Sequence, residues 1–134
     1  MRYKAPYKLV KKDGDQGWDI RAVDHRVIMP GETAVIKTGL YIEFDEGAYA
    51  DVRARSGISS KGILCHTGLV DSEYRGEIKV CMTNLAATPH LVRDGDRIAQ
   101  LVFGKEVLVE PKKVEEINTE TRRGDKGFGS SGRK

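Results

Sequence analysis

Little in this sequence invites covalent, redox or metal-cage chemistry. It holds two cysteines, Cys65 and Cys81, with no CxxC or mixed His/Cys spacing. They read as free thiols of a reducing compartment, not as a disulfide or a zinc site. His25, His66 and His90 share no metal-ligand spacing and read as surface or hairpin residues. Lys and Arg exceed Asp and Glu by only 23 to 20, and no basic block carries interleaved aromatics. That excludes the usual electrostatic footprint of a nucleic-acid binder, while leaving room for a polyanion of nucleotide size. No apolar run is long enough to span a bilayer, and Met1-Arg-Tyr-Lys-Ala-Pro6 has no stretch of signal-peptide length. The expected location is cytoplasmic, with no membrane partner. Walker-type loops, GxSxG and HExxH are all missing.

What is present is a polar chain of single-domain size. At 134 residues, with 39% apolar and 32% charged residues, it can bury roughly two-thirds of its unfolded surface. Turn signals recur along it: Asp13-Gly14, Pro30-Gly31, Glu46-Gly47, Ser56-Gly57, Arg75-Gly76, Asp94-Gly95 and Gly104-Lys105. Short β-branched segments lie between them, at Val27–Met29, Thr33–Lys37, Leu40–Phe44, Tyr49–Ala54, Glu77–Thr83 and Arg97–Phe103. Leu40, Ile42 and Phe44 alternate with Tyr41 and Glu43, the pattern of a half-buried strand. Ile58–Gly62 has room for one short helix at most. This predicts an all-β fold of many short strands.

Five segments join glycines to charged or hydroxyl residues. In Asp15–Ala22, Asp15 and Asp19 read as turn and ion-pair residues. Arg55-Ser56-Gly57 offers a guanidinium, a hydroxyl and an exposed N–H in succession, either a turn or a small phosphate cradle. Gly68–Glu77 reads as a β-hairpin with Asp71 and Tyr74 near its bend. Asp71 is there a turn former or a general base, and Tyr74 a packing residue or a platform for a sugar or base. In Gly95–Val102, Arg97 reads as an ion-pair residue. Gln100 interrupts an apolar run, so its amide needs either core partners or a ligand.

The fifth segment, Arg123–Gly132, carries Gly124, Gly127, Gly129 and Gly132 around a lone Phe128. Such a backbone is too free for a core strand or a stable helix. It is either a frayed terminus or a lid, whose Arg123, Ser130, Ser131 and ring suit a ligand with phosphates at one end and a flat base at the other.

In this order and spacing the five segments resemble the motifs of the homotrimeric deoxyuridine triphosphate nucleotidohydrolases, the dUTPases, over nearly the whole chain. The resemblance implies an all-β jelly-roll or β-clip barrel, with a core over about residues 1–118 and a mobile glycine-rich lid over about 119–134. It also implies a homotrimer with shared active sites, and Mg²⁺-dependent conversion of dUTP and water to dUMP and pyrophosphate. Asp71 would be the base that activates water for attack at the α-phosphorus, and Tyr74 the ring under the deoxyribose. The backbone of Gly68, Leu69, Val70 and Asp71, with that of Lys79, would read the uracil edge. Arg55, Ser56, Gly57 and Gln100 would hold phosphates. Arg123, Gly129, Ser130 and Ser131 would grip the γ-phosphate, with Phe128 stacked over uracil. Mg²⁺ would sit on phosphate oxygens and water, within water-mediated reach of Asp15 or Asp19.

The chain departs from the family at Gln16 and Trp18 in the first segment, and at Cys65. That cysteine stands six residues before Asp71, where some members carry a uracil-contacting Asn, and a thiol replaces an amide poorly. Two other readings compete. The related dCTP deaminases place a catalytic Glu where this chain has Cys81. A non-catalytic trimeric nucleotide binder would retain dUTP intact.

Overall fold

The computed structural model describes residues 1–66 and 68–133. Among them are ten strands and one four-residue helix: β1 Arg2–Lys4, β2 Trp18–Arg21, β3 Arg26–Ile28, β4 Thr33–Glu43, β5 Ala48–Arg53, α1 Ser56–Ser59, β6 Ile63–Cys65, β7 Gly68–Val70, β8 Ile78–Asn84, β9 His90–Val92 and β10 Arg97–Lys105. They form three antiparallel sheets, ordered β1-β4-β8-β6, β2-β10-β5-β7 and β3-β9. The expected all-β, jelly-roll-like fold is present, but the sheets do not close into a barrel. The helix starts at Ser56, two residues before the expected segment.

One core joins the sheets. Ala34, Ile36, Thr38, Leu40 and Ile42 alternate inward along β4, while Thr33, Val35, Lys37, Tyr41 and Glu43 point out, as a pleated strand requires. Leu40, Val80 and Met82 from one sheet are buried in the same cluster as Ile20, Ile98 and Leu101 from the second and Ile28 and Val92 from the third. Each large aliphatic side chain so buried contributes about 1.5–3 kcal/mol. The buried Asn84 amide donates to the carbonyls of Ile28 and Thr88 and accepts the Ala86 N–H, so three hydrogen bonds offset its desolvation.

Two expectations change. Thr33–Lys37 and Leu40–Phe44 were expected as separate strands around a Thr38-Gly39 turn, yet β4 runs through both. The chain absorbs the break as an irregularity in its pairing with β8, between Ile36 and Leu40. Gly39 takes φ +61° there, a conformation glycine adopts at little cost. Glu77 holds the irregularity together: its Oε1 accepts the N–H groups of Thr38 at 3.1 Å and Gly39 at 2.9 Å.

The second change concerns Gly68–Glu77, which is no paired hairpin. β7 pairs with β5, whereas β8 pairs with β4 and β6. The chain crosses between sheets at Asp71–Glu77, and a groove opens there.

Beyond β10 the described residues form no strand or helix, and residues 106–133 are exposed. Hydrogen bonds of residues 107–133 stay within that segment. No helix among the described residues is long and apolar enough to cross a membrane.

Candidate active site

The crossing from β7 to β8 builds the first part of the site. β7 is the edge of its sheet. The β6 register covers β8 at Met82–Asn84, and the His66 N–H donates to the Cys81 carbonyl at 2.9 Å, so among the described residues Ile78 and Lys79 have no strand partner on that side. Unpaired strand edges offer backbone donors and acceptors in a fixed row. Between them lies an open cavity of about 340 Å³, lined by Gly68, Leu69, Val70, Asp71, Tyr74 and Lys79 together with Val52, Glu77 and Ile78. Six residues singled out from the sequence are thus brought together.

Local geometry fixes the crossing. The Tyr74 N–H donates to the Asp71 carbonyl at 3.1 Å, closing a turn that leaves the Asp71 side chain exposed. Tyr74 Oη donates to the Glu77 carbonyl at 3.0 Å. The ring consequently folds over Gly76, where a Cβ would stand 2.3 Å from Tyr74 Oη. Glu77 therefore serves both ends, its backbone holding the tyrosine and its side chain holding the β4 irregularity.

Asp15, Asp19, Arg55, Ser56, Gly57 and Gln100 meet in a second cavity of about 230 Å³, joined by Lys12, Gln16, Gly17 and Arg97. Asp19 pairs with Arg55 at 3.3 Å and with Arg97 at 3.6 Å. It orients two guanidinium groups without cancelling them. Asp15 has no ion-pair partner among the described residues. Gln100 Nε2 donates to the Ala54 carbonyl at 2.9 Å, the partner its placement demanded. The Gln100 side chain lies against Gly17, where a Cβ would come within 2.3 Å of Oε1. Sequence reasoning did not single out Gly17, Arg97 as a cavity residue, or Glu77. The glycine's signal is legible only once Gln100 is known to face it.

Arg123, Phe128, Gly129, Ser130 and Ser131 curl around a third cavity of about 730 Å³ formed by the tail alone. Phe128 is fully exposed. Gly129 adopts φ +77°, and Arg123 Nε donates to the Lys126 carbonyl at 2.8 Å. The three cavities share no lining residue.

Cys65 lies apart from all three. Its side chain is 5% exposed within the core, not among the groove residues. Burial first, and the nearby Cys81 second, push its thiol from 9.0 up to about 11. The folded state therefore keeps the proton that the unfolded chain releases near pH 9. The stabilisation is whole below pH 9 and is lost as pH rises through about 11. At about 1.4 kcal/mol per unit, the loss is on the order of 2–3 kcal/mol. Urea melts at pH 8 and pH 11 should show this extra alkaline loss in the native chain and not in Cys65→Ala; equal losses in the two would remove Cys65 as its source.

These features recur in known proteins. The dUTPase family model matches residues 4–132. A deoxyuridine 5'-triphosphate nucleotidohydrolase of Corynebacterium glutamicum is 43% identical, over 90% of this chain and 83% of the relative. One from Hydrogenobaculum is 38% identical over 100% of this chain and 95% of its own. Among solved structures, a mutant dUTPase of Staphylococcus bacteriophage 80alpha with dUpNHpp superposes with a TM-score of 0.85 at 30% identity, covering 98% of both chains. A mutant dUTPase of phage phi11 of S. aureus, described with a structural Mg(II) ion, has a TM-score of 0.79 at 26% identity over 87% of this chain and 97% of that one. With its five segments set around an all-β frame of the same shape, and a family model spanning nearly its whole length, this chain belongs to the dUTPase family.

Proposed function

We propose that this dUTPase family member hydrolyses dUTP to dUMP and pyrophosphate, with Asp71 as the base that activates the attacking water. The observation that carries this is the groove at the sheet crossing, which presents an exposed carboxylate, a tyrosine and two unpaired strand edges together. The outer-edge backbone of Gly68–Asp71, with that of Lys79, hydrogen-bonds the uracil edge. Tyr74, locked over Gly76, supports the deoxyribose and leaves no room for a ribose 2′-hydroxyl. Asp71 accepts a proton as the water oxygen bonds to the α-phosphorus. The bond from that phosphorus to the bridging oxygen breaks, and pyrophosphate leaves with its electron pair. Such a reaction needs placement and charge stabilisation more than covalent catalysis.

The phosphates bind to Arg55, Ser56, Gly57 and Gln100. Among the described residues no three His, Cys, Asp or Glu side chains cluster as a metal cage. That suits Mg²⁺, which keeps its waters and takes phosphate oxygens. Asp15, without an ion pair among the described residues, would hold it through water, or Asp19, which is also engaged with Arg55 and Arg97. When bound, the ion supplies neutralisation of the phosphate charge.

The separation of the three cavities supports a homotrimer. The groove, the phosphate cradle and the tail line three separate cavities in one chain, and these parts, contributed by different chains, together complete a site. The tail, residues 119–134, is the lid on a single domain, with Arg123, Gly129, Ser130 and Ser131 on the γ-phosphate and Phe128 over uracil.

Pyrophosphate release in the presence of Mg²⁺ tests the reading, with dUTP, dCTP, dTTP and UTP run in parallel. Release from dUTP alone is expected; retention of intact dUTP would mark a binder, and loss of the dCTP amino group a deaminase. Gly76→Ala gives a finer test. The added Cβ displaces Tyr74, so the preference for dUTP over UTP should fall by about tenfold, the effect of roughly 1.4 kcal/mol. Unchanged discrimination would detach Tyr74 from sugar selection.

A further inference from the structure

The phosphate-side cavity does not end at Arg55 and Arg97. Both residues, with Gly57, also line an adjoining cleft of about 410 Å³ beside α1 and β9. Arg55, Lys61, Arg93, Arg97 and His90 face this cleft against one carboxylate, Asp96. That carboxylate is engaged in its own turn, where Oδ2 accepts the Arg93 N–H at 2.9 Å. Asp19 partners Arg55 and Arg97 from the other cavity. Among the described residues neither Lys61 nor Arg93 has an ion-pair partner. Burial first, and Lys61 second, hold the His90 imidazole below its usual range.

Convergent like charges in a cleft repel one another and raise the local concentration of anions. Here Asp19 and Asp96 relieve the repulsion only in part, since five basic side chains meet two carboxylates. No Phe, Tyr or Trp lines the cleft, and its charged groups suit an anion better than a nucleobase. Its size is that of a small-molecule site, and its cations continue directly from those of the phosphate cradle.

We propose that this cleft is a second anion subsite that takes inorganic pyrophosphate. The proposal rests on the hydrolase reading, in which pyrophosphate is released beside Arg55. Arg55 and Arg97 hand the leaving diphosphate from the cradle to Lys61 and Arg93, which bind it while the nucleotide position is still occupied. Pyrophosphate consequently inhibits with a mixed pattern rather than by competition with dUTP alone.

The test fills the substrate site with dUpNHpp and titrates inorganic pyrophosphate, following backbone amide resonances. Shifts at Lys61, His90 and Arg93 are expected in the analogue-loaded protein. In Lys61→Ala/Arg93→Ala the pyrophosphate affinity should weaken by at least about tenfold, as expected when two charge-assisted contacts are lost. The KM for dUTP should stay within about twofold, because neither residue lines the phosphate cradle. Absence of shifts at those three residues, or an unchanged pyrophosphate affinity in the double variant, would overturn the subsite. So would a parallel rise in KM, which would make the cleft part of the substrate's own site. Failure of dUpNHpp to bind would instead strike the hydrolase reading, and pyrophosphate titration of the free protein would still report on the cleft.

Discussion

Asp71→Asn should retain dUTP binding and lose turnover, with kcat lower by about 10²–10⁴, the range for removing a positioned general base. The change keeps the side chain's shape. The turn that holds it depends on backbone, through the Tyr74 N–H on the Asp71 carbonyl, so the groove should persist. KM should therefore move little, because an interaction made mainly in the transition state is the one removed. Steady-state kinetics with dUTP and Mg²⁺ provide the check. Near-native kcat would reduce Asp71 to a turn former, and a large rise in KM alone would make it a binding residue.

Deleting residues 123 to 134 should leave thermal stability nearly unchanged and lower kcat/KM by at least about 10², comparable to losing one strong transition-state donor. The first half follows from the fold: residues 123–133 are exposed, and the tail's hydrogen bonds remain inside it. The second half follows from the proposed lid. Closing it orders a glycine-rich segment at an entropic cost, which the Arg123, Ser130 and Ser131 contacts and the Phe128 ring must offset. It also excludes water other than the nucleophile. Full activity in the truncated chain would show that the tail plays no part. If sites are shared between chains, mixed trimers of the truncated protein and Asp71→Asn should regain activity that neither has alone, since one site in some assemblies then combines an intact Asp71 with an intact tail.

Much of the site was readable because its chemistry is local. Asp71 and Tyr74 lie three residues apart in one turn, and Arg55, Ser56 and Gly57 are consecutive. Gln100 also declared itself, since an amide within an apolar run must find a partner, and it finds the Ala54 carbonyl. The misread parts depend on distant contacts. β4 passes through Thr38-Gly39 because Glu77, 39 and 38 residues away, accepts both N–H groups. Nothing within Thr33–Phe44 could reveal that. The Gly68–Glu77 segment has hairpin spacing, yet β7 finds β5 and β8 finds β4. Strand pairing is chosen by the whole sheet, not by loop length. β1, β6 and β9, at three residues each, are too short for a period-two pattern to emerge. Cys65 sits in the sequence where a uracil contact could stand, but its position in β6 turns the side chain inward.

The most direct test of the account is a single-turnover hydrolysis of dUTP in ¹⁸O-labelled water with Mg²⁺. Attack at the α-phosphorus by water activated at Asp71 places the label in dUMP and leaves pyrophosphate unlabelled. Label in pyrophosphate would put the attack at the β-phosphorus and contradict the account.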